Sequence, residues 1–306
     1  MKTISGFIIL VIMFCMSFRL SAEPSPYTVS LAVSAGALVG QSEEIVYKLS
    51  NSDTYLSQLL WDMKPLAYIG TEFAISRKKP LEKWGVFSTI SLKFGIPMET
   101  GVMEDRDWDS PDNRLTNFSS HDNYTQKAFL CDISPIGVSF PIVSSVLIRV
   151  YPVFSYMYFS WASRDGYLQY ERYDWETMPV SGPMINYSQS WMLASQGIGL
   201  WVPFLKVLSA GIDFQIGSVL SCTALDEHIS RNVRFKDRIS GGCFFEAKGV
   251  FTFSPISWLD ITLSAGGRYI TGSRGVSYMN DDPTPVSGAG AGYSVADIGL
   301  SVKARF

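Results

Sequence analysis

The sequence predicts an all-β chain: a single antiparallel transmembrane β-barrel of about ten strands with long extracellular loops. Period-two runs of apolar residues recur along the whole length, separated by turn-rich segments. The final run, Ile298 to Phe306, places Ile298, Leu300, Val302, Ala304 and Phe306 on one face and small or charged residues on the other. An apolar leader precedes the first run. A soluble sandwich would alternate as well. Exported bacterial barrels, however, commonly close on an alternating strand with a terminal aromatic, and the leader agrees with export.

The leader begins with Met1-Lys2-Thr3 and continues through an apolar run from Phe7 to Phe18, then Arg19-Leu20-Ser21-Ala22 and the Pro-broken Glu23-Pro24-Ser25-Pro26. This is the layout of a secretory signal peptide cut after Ala22, leaving 23–306 as the barrel. The apolar run is shorter than the roughly 20 residues a spanning helix needs.

In the mature chain, Tyr27, Val29, Leu31, Val33 and Ala35 alternate with Ser30, Ala32 and Ser34. Ile212, Phe214 and Ile216 alternate with Asp213, Gln215 and Gly217, and Phe245 to Phe253 does the same around Glu246 and Lys248. Ile261, Leu263, Ala265, Gly267 and Tyr269 alternate with Asp260, Thr262, Ser264 and Arg268. Charges opposite an apolar face suit a wall with lipid on one side and a polar lumen on the other. Closure pairs every strand edge, as hydrocarbon demands. The expected strands are about 27–44, 56–76, 84–97, 124–134, 144–164, 185–202, 206–224, 234–254, 259–273 and 290–306. Several exceed the roughly 9–11 residues that cross a bilayer, so the barrel should project beyond it.

Arg77-Lys78-Lys79-Pro80, Val202-Pro203-Phe204 and Ser254-Pro255-Ile256 read as periplasmic turns, and Ser134 to Ser144 fits that role less neatly. The polar connections 45–55, 98–123, 165–184, 225–233 and 274–289 then face outside. Net charge is only −3 and no basic block occurs, so nucleic acid is not an expected partner. Cleavage leaves Cys131, Cys222 and Cys243, with no metal-ligand spacing. Cys222 and Cys243 flank one loop, but pairing is not expected.

The chain has only two histidines, and both fall on this outer rim beside carboxylates. His228 closes Asp226-Glu227-His228, and Glu104-Asp105-Arg106-Asp107-Trp108-Asp109 precedes His121. Imidazole titrates near neutrality and serves readily as a general base, with a nearby carboxylate to hold its tautomer. Ser119 beside His121 could suggest a serine hydrolase, but no Gly-rich elbow surrounds it. His121 is expected to support the catalytic loop.

These rim residues resemble the omptins, outer-membrane proteases with a ten-stranded barrel. The likeness runs through Gly40 to Tyr47, Leu56-Ser57-Gln58-Leu59, Met103 to Trp108, Ser119-Ser120-His121 with Thr125, Ser160 to Gly166, and Asp226-Glu227-His228. It implies an Asp–Asp couple, Asp105 and Asp107, facing an Asp–His couple, Asp226 and His228, across the barrel mouth. A water activated between them would attack a peptide carbonyl, with no metal or organic cofactor. Glu44 matches the family's pocket glutamate and Met103 a wall residue, implying cleavage near basic side chains. The second pocket carboxylate belongs two residues before the catalytic Asp, where this chain has Ala224. A weaker or altered basic preference is therefore expected.

The family also binds lipopolysaccharide through basic residues on the outer wall. Here Phe154-Ser155-Tyr156-Met157-Tyr158 lacks the acidic and basic members and Ser190 replaces another, while Arg234, Lys236 and Arg238 keep some charge nearby. Dependence on lipopolysaccharide is in doubt. The resemblance implies a monomer in outer-membrane lipid, its active site facing the exterior and exposed peptides or host proteins as substrates. The rival reading is an inactive barrel serving as an adhesin or small porin.

Overall fold

The computed structural model describes residues 26–48, 53–77, 84–143, 146–280 and 282–306. The expected leader, 1–22, lies outside the described residues, as does most of the turn expected at 77–80. The strand segments are β1 (Tyr27–Tyr47), β2 (Tyr55–Arg77), β3 (Gly85–Gly95), β4 (Met98–Asp107), β5 (Asn117–Val143), β6 (Val146–Tyr170) and β7 (Met178–Pro179). They continue with β8 (Pro183–Leu205), β9 (Leu208–His228), β10 (Val233–Ser240), β11 (Cys243–Ile256), β12 (Leu259–Met279) and β13 (Pro285–Arg305). All pairings are antiparallel, and β13 returns to β1 from Ser30↔Arg305 to Tyr47↔Gly288, which closes the ring.

The thirteen segments trace ten staves. β3 and β4 both lie between β2 and β5 and form one interrupted stave. β10 and β11 likewise form one stave between β9 and β12. The break there is Gly241-Gly242, with φ of 71° and 87°; a Cβ on Gly242 would meet the Thr271 carbonyl at 2.5 Å. β7 is a two-residue ladder on β6, just beyond the end of β8 on the same edge.

The staves outrun the expected ones. The segment 98–123, expected as a loop, contains β4 and the start of β5, so the acidic knot through Asp107 sits on a strand. Val202-Pro203-Phe204 and Ser254-Pro255-Ile256 also belong to strands, and the chain reverses at 206–207 and 257–258. Register shifts occur at Pro203/Leu205, Phe253/Ile256 and, near Pro135, between Ile133 and Val138. Proline survives in a ladder where a bulge removes the need for its missing N–H.

Period two sorts the side chains. Exposed apolar residues such as Phe73, Phe94, Ile198, Ile216, Leu263 and Leu300 form a girdle. Toward the end away from the termini, here called the mouth, outward positions turn polar: Glu43 and Gln58, which share a hydrogen bond, the Glu104–Arg106 ion pair at 2.5 Å, and Arg234 and Arg238. That collar marks where the wall leaves hydrocarbon for water.

Inside, each stave passes from a charged lower lumen through an apolar waist to an upper cavity. On β9, Asp213 and Gln215 line the lower space, Val219, Cys222 and Ala224 belong to the core, and Asp226 and His228 line the upper one. At the waist Trp61 stacks on Tyr187 at 5.0 Å, and Phe159 on Trp161 at 5.5 Å. The barrel is filled rather than open. Cys131, Cys222 and Cys243 are all free.

Candidate active site

A strand directs residues i and i+2 to the same face. The two Asp-x-acidic/His spacings therefore become inward-facing couples. On β4, Asp105 and Asp107 point inward while Glu104 and Arg106 point out. Ser57 donates to Asp105 Oδ1 at 3.1 Å, and Asn117 Nδ2 donates to Asp107 Oδ2 at 3.2 Å. Trp108 then anchors the stave end: its N–H donates to the Leu56 carbonyl at 2.8 Å and its ring lies 5.9 Å from Tyr55.

On β9, Asp226 and His228 form the second couple. His228 Nε2 lies 2.8 Å from Asp226 Oδ2, and both residues are buried. Phe235, the register partner of Asp226, meets the imidazole edge-on at 5.9 Å and fixes its plane. With Nε2–H given to Asp226, Nδ1 is left with a lone pair. Arg231, in the tight turn from Ile229 to Asn232, sets its guanidinium against that Nδ1.

Both couples line one cavity of about 960 Å³, together with Glu44, Ser57, Asn117 and Arg231. The carboxylates sense one another. Burial, then the charge of Asp107, pushes Asp105 well above the usual carboxylate range, with Asp226 adding to it. Burial raises Asp107 too, against the hydrogen bonds that favour its anion. Close, desolvated carboxyls of this kind hold a proton between them more readily than isolated ones.

Glu44 is 2% exposed, and its Oε2 has no hydrogen-bond partner. Burial first, then the charges of Asp226, Asp237 and Asp105, raise its pKa. Met103 lies beneath the cavity in the apolar waist, between Trp61 and His121 in register, and is not among the lining residues. His121 is pinned by the Asp165 carbonyl at Nδ1, 2.5 Å, and by Ser119 at Nε2, 3.0 Å. No carboxylate orients it. Burial lowers its pKa. It ties β5 to the reversal at Asp165-Gly166, where φ is 54° and 100°. Among the described residues no group of three or more His, Cys, Asp or Glu side chains has metal-holding geometry.

Two residues are not marked in the sequence: Arg231, which lines this cavity, and Asp237, buried in the wall beside it. Arg231 follows His228 in a turn whose closure no motif marks. Asp237 faces Ala224 across the β9–β10 ladder, a relation carried by register alone.

The fold matches the outer membrane protease OmpT from Escherichia coli with a TM-score of 0.78 and 17% identity, over 94% of this chain and 99% of that one. Other barrels align poorly. The transport unit of the autotransporter AIDA-I from Escherichia coli has a TM-score of 0.41 at 10% identity, over 98% of both chains. No curated protein matches the sequence. The model of the omptin family matches residues 25–304, and the chain therefore belongs to the omptin family.

Proposed function

We propose that this protein is an outer-membrane endopeptidase whose nucleophile is a water held between the Asp105–Asp107 and Asp226–His228 couples. The observation that carries this reading is that the two couples, on separate staves, line one cavity at the barrel mouth. His228 Nδ1 takes a proton from the water as its oxygen attacks the peptide carbonyl carbon. Asp226 stabilises the imidazolium formed. One of Asp105 and Asp107 keeps its proton and donates to the developing oxyanion, as the charge the other bears and their shared burial favour. The imidazolium then gives its proton to the leaving amine.

Arg231 must move aside before Nδ1 can act. An incoming peptide that occupies the carboxylate-lined cavity supplies the reason to move. The termini meet at the far end of the barrel, where the Phe306 N–H donates to the Val29 carbonyl at 2.8 Å. With the termini in the periplasm the cavity opens outward, toward exposed peptides and host proteins. A closed ring leaves no free edge for self-association, which supports a monomer.

On the outer wall Tyr158 and Ser190 are register partners without a cation, and Arg238 stands level with them across Thr223 as the one positive charge of that row. The filled waist argues against the porin rival. The adhesin rival is tested by a fluorogenic dibasic peptide on cells displaying wild type or His228→Ala. The protease reading expects the substitution to remove about 10³-fold or more of the cleavage rate. Equal, background-level cleavage by both would sink it.

A further inference from the structure

The two carboxyls of the Asp105–Asp107 couple have unlike partners. Ser57 on β2 and Asn117 on β5 flank Asp107 in register, and directly opposed residues on neighbouring strands project from the same face. The Ser57 hydroxyl donates to Asp105 Oδ1 at 3.1 Å and lies near enough to Asp107 to act on it as well. A hydroxyl donates to a carboxylate and accepts from a carboxylic acid, so Ser57 does not fix where a proton sits.

The side-chain amide of Asn117 does. Its Nδ2 lies 3.2 Å from Asp107 Oδ2 and 3.1 Å from Asp109 Oδ2. Exposed Asp109 is an acceptor, which turns the amide's N–H groups rather than its carbonyl toward both acids. An N–H donated to a carboxyl favours its charged form. Among the described residues no side-chain amide donates to Asp105.

The surrounding charges add to this asymmetry. Asp226 across the cavity and Glu44 from β1 place negative charge near Asp105, which favours a proton there. Arg231 bears on both carboxyls and does not choose between them. Asp109 opposes at Asp107, with less weight than the Asn117 hydrogen bond. His121, Tyr170, Glu171, Arg172 and His228 complete the ionisable lining of the cavity. Among the described residues none of these five makes a hydrogen bond or ion pair with either carboxyl.

We infer that Asn117 is a positioning residue: by donating to Asp107 it holds that carboxylate as the anion of the couple and leaves the proton on Asp105. The inference rests on the peptidase reading and assigns the roles within it. Asp105 donates a hydrogen bond to the developing oxyanion. Asp107 accepts one from the water hydrogen that His228 does not take, and so aims the oxygen lone pair at the carbonyl carbon. Neither carboxyl gains or loses a proton during the attack.

The test uses the full barrel in lipid as wild type, Asn117→Ala and Asn117→Gln. Without the amide, Asp107 should hold a proton about one pH unit more tightly, the weight of one hydrogen bond to a charged group. The ratio of Asn117→Ala to wild-type kcat should therefore fall about tenfold from the alkaline to the acid side of the profile, with KM within about twofold throughout. Taking the ratio cancels the titration of His228, which both proteins share. Asn117→Gln, with an amide on a longer stem, should recover part of the acid-side loss. A ratio that stays flat with pH would make Asn117 a strut for the loop 108–116 and overturn the assignment. Infrared spectra locate the proton without turnover. A protonated-carboxyl band of the wild type at neutral pH should vanish in Asp105→Asn and persist in Asp107→Asn. Persistence in Asp105→Asn, or loss in Asp107→Asn, would also overturn it. If the wild type cleaves nothing, the peptidase reading fails on its own, and the infrared spectra still decide which carboxyl holds the proton.

Discussion

The lower and upper halves of the barrel interior treat carboxylates in opposite ways. In the lower lumen Arg268 pairs with Asp132 at 2.5 Å and Glu246 at 2.7 Å, Lys303 with Glu72 at 2.7 Å, Lys93 with Asp297, and Arg305 with Asp260. Asp213, without a cation, accepts from Tyr151 at 2.7 Å. Above the aromatic waist, Glu44, Asp105, Asp107, Asp226 and Asp237 have hydroxyl, amide or imidazole partners or none, and no Lys or Arg pairs with them among the described residues. The lower charges neutralise each other and hold staves together. The upper ones are left with affinity for protons, which suits the acid–base chemistry proposed above. On that proposal one wall carries a structural half and a reactive half.

The largest effect that could break this contrast is on the lower half. Arg268→Ala leaves Asp132 and Glu246 buried without a cation and should cost about 3–5 kcal/mol of stability. Denaturant unfolding of the barrel in lipid checks it. A loss as small as that of a surface substitution would mean the lower pairs are not structural.

On the upper half, Asp105→Asn keeps shape but removes the shared proton, and should lower kcat by about 10²-fold with KM little changed. Steady-state cleavage of a dibasic peptide reads this. A change in KM alone would make Asp105 a binding residue instead.

The pH response sharpens the contrast further. Asp237 holds its proton more tightly folded, at about 7, than at the ordinary value of 3.8. The folded state therefore binds more protons than the unfolded one between those values. The stabilisation from that proton is complete below the lower value and is lost as pH rises through the upper. Wild type should lose stability across this window relative to Asp237→Asn, and melting against pH would show parallel curves if the assignment is wrong.

The smallest effect is on Arg231. Arg231→Ala uncovers His228 Nδ1 and should raise kcat/KM by about threefold, the size of one weak contact displaced. A fall would show that the guanidinium assists the reaction rather than covering the base.

Where one face meets lipid and the other a polar lumen, as along Ile261 to Tyr269 or Ile298 to Phe306, the strand was legible as alternation. Above the bilayer both faces meet water, so Glu104 and Arg106 outside and Asp105 and Asp107 inside read as a loop although they form a strand. The couples stayed legible because their spacing of two survives any register. Asp237 did not. Its place opposite Ala224 depends on how β9 and β10 slide past each other, and on the bend at Gly241-Gly242, none of which is local in sequence.

The central claim, that the upper carboxylates and His228 form the reactive centre while the lower charges only support it, is tested most directly by peptide cleavage in reconstituted lipid. Wild type, His228→Ala and the folded fraction of Arg268→Ala are measured side by side. The account predicts cleavage near the wild-type rate for folded Arg268→Ala and none above background for His228→Ala. Full activity in His228→Ala, or its loss in folded Arg268→Ala, would contradict it.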